Sequence, residues 1–287
     1  MSMYRHIAGG VLVVVGSWAA LSAQQAAPAA RQAGPQPVLE TVDQYQGDAA
    51  EQFLAKAKVK TVKDIGMGVT LPQKITLELD GVTRSAAFKT IDEKRQGITQ
   101  LGNAPPDINF QDSWQTEIPA YIVDVIIGLG MVPATVERRI NNRVGSLQWW
   151  VVSMMPEAER AKQKLQPPDK EAWDRVVLKM RLFDALIFNV DRHANNILVT
   201  HDFDLRLIDH SRSFRPMRQL RDPQLLTRFS KSLLEGLERL ELQDLRKKLN
   251  RYLSAAQVNT LLQRRDAILE LARTRVAELG EAAVIYP

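Results

Sequence analysis

Three polar residues, Asp191, Asn196 and Asp209, stand beside two short apolar runs in the second half of the chain. The first run follows the sequence Asp-Arg-His-Ala-Asn-Asn, and the second run ends directly at Asp209. An acid that orients a hydroxyl, together with an amide and a second acid that hold Mg²⁺, is the set of groups that phosphoryl transfer requires. These residue types in this order therefore indicate a nucleotide-dependent kinase site.

A β-hairpin would bring the three residues together. The apolar runs at 197–199 and 205–208 are typical of two strands joined by a short turn, which places all three residues at one end of the hairpin. Turn chemistry is the alternative, because Asp and Asn readily bend a chain after a helix. It explains Asn195 well, but it does not explain why Asp209 ends an apolar strand, where a buried carboxylate needs a partner such as a metal ion.

Candidate phosphate-binding groups lie in the first half of the chain. Gly66 and Gly68 interrupt a predicted strand at 65–71, where the missing Cβ atoms would let backbone amides approach phosphates. A β-bulge or a bend is the simpler interpretation of an isolated Gly-x-Gly. Lys89 ends an apolar strand, so it is either a point charge for the α- and β-phosphates of a nucleotide or a solvated strand end.

The ammonium group of Lys89 would need an acidic partner to hold it in place. Glu117 begins the one helix predicted in this half, and it is our candidate for that partner. An acid near the positive N-terminus of a helix is also favourable for its own sake. Asp92 and Glu93 lie nearer to Lys89 in the sequence and are rival partners.

The predicted strand at 146–154 would cross between the two halves of the protein. Its paired tryptophans, Trp149 and Trp150, are most simply core residues. A strand edge at such a junction could also offer backbone N–H and C=O groups to an adenine ring. Gln148, Trp149 and Val151 are therefore our candidates for a nucleotide-binding hinge.

The composition excludes several kinds of functional site, and the N-terminal sequence predicts export. The 287-residue chain has no cysteine, which excludes disulfides, zinc-thiolate sites and a cysteine nucleophile. Its net charge of +5 is not concentrated in a basic arm, so we expect no nucleic-acid partner. Residues 1–23 resemble a secretory signal peptide, and residues 24–45 resemble a disordered Ala/Gln/Pro linker. We therefore expect a periplasmic or secreted domain, which an uncleaved signal segment would anchor to a membrane.

Local patterns predict a β-rich half followed by a helical half. The predicted elements are a helix at 48–60, strands at 65–71, 75–79, 82–89, 132–140 and 146–154, a loop at 97–112, a helix that begins near Glu117 and ends at Gly128 or Gly130, and helices at 170–188, 223–240, 242–253 and 254–279. This order predicts an α+β fold with a β-rich N-lobe at 46–152, a mostly helical C-lobe at 153–287 and a ligand-binding cleft between them.

The motif that contains Asp191 and Asn196 resembles the catalytic loop of phosphatidylinositol 3- and 4-kinases and related atypical kinases, which reads Asp-Arg-His-x-x-Asn-Ile. The Ile-Asp pair that ends at Asp209 matches their next metal-binding acid. The sequence from Asp209 to Phe214 also resembles the Asp-x-Gly-Arg-x-Phe motif of the Golgi secretory-pathway kinases, which phosphorylate casein and proteoglycan sugars. The resemblance implies that Asp191 serves the attacking hydroxyl, that Asn196 and Asp209 bind Mg²⁺ or Mn²⁺, and that the fold is protein-kinase-like.

The first half agrees with this resemblance, which covers roughly residues 60–216. The Ala-Phe-Lys sequence that ends at Lys89 resembles the nucleotide-binding lysine strand, and the region that begins at Glu117 resembles the lysine-pairing helix and the strand after it. Residues 145–151 resemble the hinge strand of bacterial relatives of the secretory kinases. Two positions depart from the pattern, because His210 stands where lipid kinases have Phe and Ser211 replaces a usual Gly.

These observations predict an ATP-dependent phosphotransferase that uses Mg²⁺ or Mn²⁺ and transfers a phosphoryl group to a hydroxyl of a protein, glycan or lipid. In that enzyme His193 would support the catalytic loop through its backbone. A secreted pseudokinase, which binds nucleotide without transfer, is the main alternative. A zinc hydrolase built from His193, His201 and His210 is a weaker one, because their spacing matches no zinc motif. A serine hydrolase is weaker still, since no Gly-x-Ser-x-Gly occurs.

Overall fold

The computed structural model describes residues 45–66, 72–100 and 107–287. The predicted signal peptide, nearly all of the predicted linker and Gly68 lie outside these ranges, so those interpretations stay predictions.

The strands in the described ranges are β1 (Lys58–Asp64), β2 (Gln73–Leu79), β3 (Val82–Lys89), β4 (Asp92–Lys94), β5 (Ile98–Thr99), β6 (Asp107–Ile108), β7 (Gln111–Ser113), β8 (Thr135–Ile140), β9 (Arg143–Trp149), β10 (Met155–Pro156), β11 (Ile197–Val199), β12 (Leu205–Leu207), β13 (Phe229–Ser230) and β14 (Ile285–Tyr286).

Eight α-helices lie in the described ranges. They are α1 (Gly47–Lys56), α2 (Glu117–Ile127), α3 (Glu157–Lys162), α4 (Lys170–Ile187), α5 (Lys231–Glu238), α6 (Leu242–Leu249), α7 (Ala255–Leu279) and α8 (Glu281–Val284). None of the helices in this part of the chain is long and apolar enough to cross a membrane.

The N-lobe is built on an antiparallel sheet of five strands in the order β1-β2-β3-β9-β8. The predicted hairpin of β2 and β3 is confirmed, and Asp80 (φ 49°) and Gly81 (φ 79°) form its left-handed turn. Phe88 faces the core, where Trp149 of β9 meets Phe53 of α1 edge to face at 5.6 Å. Because side chains alternate along a strand, Lys89 lies on the opposite face from Phe88.

Several local predictions were wrong. The strand predicted at 146–154 is β9, which begins at Arg143, directly after a turn at Asn141 and Asn142, and ends at Trp149. The helix predicted at 48–60 ends at Lys56, because the β-branched residues that follow form β1 against β2. The loop predicted at 97–112 contains the ribbon of β5 with β6, and its last residues begin β7, which pairs with β4. The helix predicted at 223–240 is confined to α5, and a 3₁₀ turn and β13 take up its first residues.

Helix α2 is fixed at both ends. The Ser113 hydroxyl caps the 3₁₀ turn that leads into α2, and Gly128 (φ 72°) ends the helix in the left-handed conformation. At the same end, α5 of the C-lobe packs so closely that a Cβ on Gly236 would lie 2.1 Å from the carbonyl oxygen of Ile127. Arg239 donates to the carbonyls of Ile126 and Ile127 at 3.1 and 3.2 Å. The helix therefore belongs to the N-lobe in sequence but is held by the C-lobe.

The C-lobe places α4 against α7 and carries the small sheet β10-β11-β12. A capping box formed by Ser254 and Gln257 begins α7, the helix predicted at 254–279. Farther along α7, Arg264 is completely buried and donates to the carbonyls of Leu186 (2.7 Å) and Arg215 (3.2 Å). Burial lowers the pKa of Arg264 to about 10. This arginine ties the end of α4 to the segment that follows β12.

Gly145 supports the position of Lys89, because a Cβ at this position would lie 2.1 Å from the Lys89 carbonyl oxygen. We expect Gly145→Ala to lower the free energy of unfolding by about 1–3 kcal/mol, since the strands must separate to admit the methyl group. Denaturant unfolding measures the change. Thr83→Ala, at an exposed position of β3, is the matched control and should change stability by less than about 0.5 kcal/mol. Equal stability of Gly145→Ala and the control would show that the strands are not in this close contact.

Candidate active site

The loop between α4 and β11 is held by its own polar groups. Phe188 ends α4 in the left-handed conformation, and the Asn189 side-chain oxygen accepts the N–H of Asp191 at 3.0 Å. The carbonyl of Asp191 accepts two bonds, from the side chain of Asn196 at 3.1 Å and from the N–H of His193 at 3.0 Å. These bonds leave the carboxylate of Asp191 partly exposed, with 39% of its side-chain surface accessible.

Arg192 joins this loop to the end of β12. Its guanidinium binds both carboxylate oxygens of Asp184 at 3.0–3.2 Å. The same group donates to the carbonyls of Asn196 at 2.9 Å and Ile208 at 2.8 Å. Since Ile208 directly precedes Asp209, one arginine fixes the backbone beside both predicted metal ligands.

Lys89, Glu117 and Asp209 form an ion cluster at the junction of the lobes. The Nζ atom of Lys89 lies 2.6 Å from Oε1 of Glu117 and 2.8 Å from Oδ1 of Asp209. Burial acts to lower the pKa of Lys89, but the two carboxylates outweigh burial and raise it. Burial acts to raise the pKa values of Glu117 and Asp209, but the charge of Lys89, together with hydrogen bonds from His210 to Glu117 and from Ser211 to Asp209, outweighs burial and lowers both pKa values. All three groups are therefore charged at neutral pH.

The rival partners of Lys89 point elsewhere. Asp92 accepts a hydrogen bond from Ser113 at 2.7 Å, and Glu93 pairs with Arg95. Both acids are more than one-third exposed, whereas Glu117 is almost fully buried. The structure thus brings Glu117, and not its rivals, to Lys89.

His210 binds the cluster through its backbone. Its N–H donates to Oε2 of Glu117 at 3.0 Å, and its carbonyl accepts from the Thr116 hydroxyl at 2.8 Å. The ring is completely buried beside Phe183, with Nδ1 3.5 Å from Oε2 of Glu117. Burial lowers the pKa of His210 despite this carboxylate, so the ring is neutral at pH 7. His210 thus fills a core position, as the Phe of lipid kinases would by the resemblance.

The histidines give no support to the zinc hydrolase. His193 and His201 are exposed, whereas His210 is in the core. No three His, Asp or Glu side chains within the described ranges converge in a way that could hold a metal ion by themselves.

Asp191 has a cationic neighbour in Arg212. The Nη1 atom of Arg212 lies 3.5 Å from the Asp191 carboxylate, and its Nη2 atom donates to Asp107 at 2.7 Å. Asp107 also binds Arg215, and the Arg212 guanidinium lies 5.2 Å from the centre of the Phe110 ring. The described residues of the ribbons between β3 and α2, 92–100 and 107–113, therefore form a strap that reaches across to the loop after Asp209.

The residues predicted to bind the nucleotide differ in which of their hydrogen-bonding groups already have a partner. Gly66 follows β1 with φ 70°, a backbone that suits glycine. The side chain of Gln148 is buried and donates to Thr135, while the Trp149 amide donates to Ala134 and its ring packs in the core. Within the described part of the chain, the backbone groups of Val151 have no hydrogen-bond partner. Val151 is therefore the hinge candidate with groups available to an adenine ring.

The predicted metal ligands have the chemistry that Mg²⁺ or Mn²⁺ requires. Both ions prefer oxygen ligands, and Mg²⁺ commonly takes one or two carboxylates and completes its shell with phosphates and water. Asp209 supplies a charged carboxylate. The amide nitrogen of Asn196 is used on Asp191, which leaves the amide oxygen for a cation. The residues present therefore fit a divalent cation bound together with a nucleotide.

Four residues of this site were missed by the sequence interpretation. Arg192 and Arg212 lie inside the two kinase-like motifs, so their position was a signal that was not used. Asp184 lies two turns before the motif on the polar side of a predicted helix. Asp107 follows two prolines in a predicted loop, and no local pattern marks it.

We expect Arg192→Met to lower the free energy of unfolding by up to about 3–5 kcal/mol, because it leaves the largely buried Asp184 carboxylate without its charged partner, although the Asn189 side chain still donates to it. The double variant Arg192→Met/Asp184→Leu should recover part of this loss, since it removes both charges. Denaturant unfolding measures all three proteins. Arg181→Met, at an exposed position of α4, is the control. A single variant as stable as the control would contradict the role of Arg192 as a buried brace.

Comparisons with known proteins agree with the architecture. No protein-family model matches the chain, and no curated protein matches it by sequence. The Golgi casein kinase structure aligns with a TM-score of 0.56 at 14% identity, over 83% of this chain and 78% of its own. Its Mn/ADP-bound form gives 0.57 at 14% identity, over 85% and 78%. A proinflammatory kinase of Helicobacter pylori, CtkA, gives 0.51 at 12% identity, over 79% and 98%. The chain therefore has the two-lobed, kinase-like α+β fold of the Golgi casein kinase.

Proposed function

We propose that this protein is a metal-dependent phosphotransferase that moves the γ-phosphoryl group of ATP to a hydroxyl acceptor. The observation that carries the proposal is the convergence of Lys89, Glu117 and Asp209 beside the loop of Asp191 and Asn196. A buried lysine held by two acids next to an amide and a partly exposed carboxylate is the arrangement that phosphoryl transfer uses. A Golgi casein kinase of the same fold has been solved with Mn/ADP bound.

In this proposal the nucleotide lies between the lobes. Lys89, kept in place by Glu117, binds the α- and β-phosphates, and the backbone at Gly66 and Gly68 covers them. The adenine ring is bound at the hinge of Gln148, Trp149 and Val151, chiefly by the free backbone groups of Val151. Lys89 thus exchanges part of its contact with Asp209 for phosphate when nucleotide binds.

Asn196 and Asp209 hold the divalent cation, which when bound neutralises negative charge that develops on the phosphates. Asp191 orients the acceptor hydroxyl and accepts its proton as the acceptor oxygen forms a bond to the γ-phosphorus and the bond to the β-phosphate oxygen breaks. Arg212, beside Asp191, adds a positive charge at the side where the acceptor enters. A protein, a glycan and a lipid all supply suitable hydroxyls, and export to the periplasm or medium remains part of the proposal.

The pseudokinase is the second candidate, and one contact favours it. Asp209 contacts Lys89 at 2.8 Å, so a metal ion must compete with a buried ammonium for this carboxylate. A protein that binds nucleotide but never aligns an acceptor would keep the same cluster. Binding without transfer therefore separates the two candidates.

We expect Asp191→Asn to reduce transfer by about 10²–10⁴-fold, because the amide orients a hydroxyl but cannot take its proton. Its affinity for ADP with Mn²⁺ should stay within about threefold of the wild type, because Asp191 is not assigned to the metal or the nucleotide. Transfer is measured as label moved from [γ-³²P]ATP with Mn²⁺ to protein, glycan and lipid pools.

Two further variants complete this experiment. Asp209→Asn should lose both transfer and the Mn²⁺-dependent part of ADP binding, whereas Asn195→Ala, exposed in the same loop, should behave as wild type. ADP binding by the wild type without label in any pool would support the pseudokinase. Full transfer by Asp191→Asn would remove Asp191 from the proposed role.

A further inference from the structure

Asp112 is a buried acid for which the mechanism above has no use. Only 8% of the residue is exposed, and its Oδ1 atom is buried without a hydrogen-bond partner in the described structure. A carboxylate that loses its water without gaining a partner is unfavourable in a protein interior. Binding of a ligand to the carboxylate is one physical reason for an acid in such a buried position.

The strap places Asp112 beside the ion cluster. The N–H of Ser113 donates to the carbonyl of Ser211 at 2.9 Å, and the Gln111 side chain donates to the carbonyl of Ser213 at 3.3 Å. Asp112, between these two residues, therefore runs along the segment that follows Asp209. Burial raises the pKa of Asp112 and the nearby Asp209 carboxylate adds to this, while Ser211, Lys89 and Arg212 act in the opposite direction.

The neighbouring cations are already bound to other acids. Lys89 contacts Glu117 and Asp209, and Arg212 contacts Asp107. The Ser211 hydroxyl has one hydrogen, which it donates to Oδ1 of Asp209 at 3.0 Å. The side chains of Lys89 and Arg212 are thus already paired with other acids, while the buried Oδ1 atom of Asp112 has no hydrogen-bond partner in the described structure.

The charges leave room for one divalent cation. The Lys89 ammonium contacts the carboxylates of Glu117 and Asp209, and the Asp112 carboxylate lies near enough to interact electrostatically with Lys89 and Asp209. These three carboxylates outnumber the single ammonium, so a divalent cation beside them would be stabilised. Because no three acids converge as a ready cage within the described ranges, such an ion must take further ligands from phosphates and water.

We propose that Asp112 is a further ligand, directly or through a bound water, of a divalent cation that occupies the site with the nucleotide beside Asp209. This inference rests on the proposed function, because it concerns the same nucleotide site. It assigns the strap a role in metal binding: strand β7 carries an acid into the cleft, and the backbone bonds to Ser211 and Ser213 keep the acid there. The ligand class is Mg²⁺ or Mn²⁺ with oxygen ligands.

Binding of Mn²⁺ in the presence of ADP tests the proposal without any need for transfer. Free Mn²⁺ is measured by electron paramagnetic resonance during titration of the full chain, which gives both the number of ions and their affinities. We expect Asp112→Asn either to bind one ion fewer or to bind Mn²⁺ at least tenfold more weakly. ADP binding without metal should stay within twofold of the wild type. Asp112→Glu, which keeps a carboxylate, should restore much of the Mn²⁺ affinity.

Glu93→Gln is the matched control, because Glu93 is the cross-strand neighbour of Asp112 in the same ribbon but is exposed. It should bind Mn²⁺ as the wild type does. Asp112→Ser, with a smaller side chain, tests the same loss if the amide variant does not fold. Mn²⁺ binding by folded Asp112→Asn or Asp112→Ser within twofold of the wild type would overturn the proposal and leave Asp112 a purely structural residue.

Asp209→Asn distinguishes a failure of the proposed function from a failure of the inference about Asp112. If the wild type binds no Mn²⁺ with ADP, the proposed function itself fails. If Asp209→Asn loses Mn²⁺ while Asp112→Asn keeps it, only the inference about Asp112 fails. Loss of Mn²⁺ binding in both variants, with unchanged binding by Glu93→Gln, supports both the proposed function and the role of Asp112.

Discussion

The contact of the Lys89 ammonium with the carboxylates of Glu117 and Asp209 joins the three parts of this fold. Lys89 ends β3, Glu117 begins α2, and Asp209 follows β12. Because these charges lie away from water, each is stable only while its partners are in place. The close approach of Gly145 to β3 and of α5 to α2 therefore matters for function, since it fixes the elements that carry the charges.

Two arginines also fix the loops that carry the candidate catalytic and metal-binding residues. Arg192 ties the backbone of Asn196 and Ile208 to the buried acid Asp184, and Arg212 lies between Asp191 and the strap. Catalytic groups commonly lie on loops that a rigid scaffold positions, and here the scaffold acts through planar guanidinium groups that bind several oxygens at once. The same segments that hold the proposed metal ligands also hold Asp191, the proposed general base, so the candidate site is assembled as one unit.

Local patterns in the sequence predicted the elements that carry the candidate site residues better than they predicted the segments and side chains that hold these elements in place. The β11–β12 hairpin, the turn at Asp80 and the start of α2 at Glu117 all follow from short-range signals, and these elements bring Lys89, Glu117 and Asp209 together. The strap and β1 were missed because two- and three-residue ribbons and edge strands are stabilised by distant partners rather than by their own periodicity. The same reason hid Asp107, whose two arginine partners lie more than one hundred residues later.

A crystal structure of the protein with Mn²⁺ and ADP tests the central claim most directly, because anomalous scattering locates the ion independently of the protein. We predict an ion that contacts the oxygens of Asp209 and Asn196, with the ADP phosphates at Lys89 and the adenine ring at the backbone of Val151. An ion that contacts neither Asp209 nor Asn196, or a nucleotide bound outside the cleft between the lobes, would contradict the proposed phosphotransferase site.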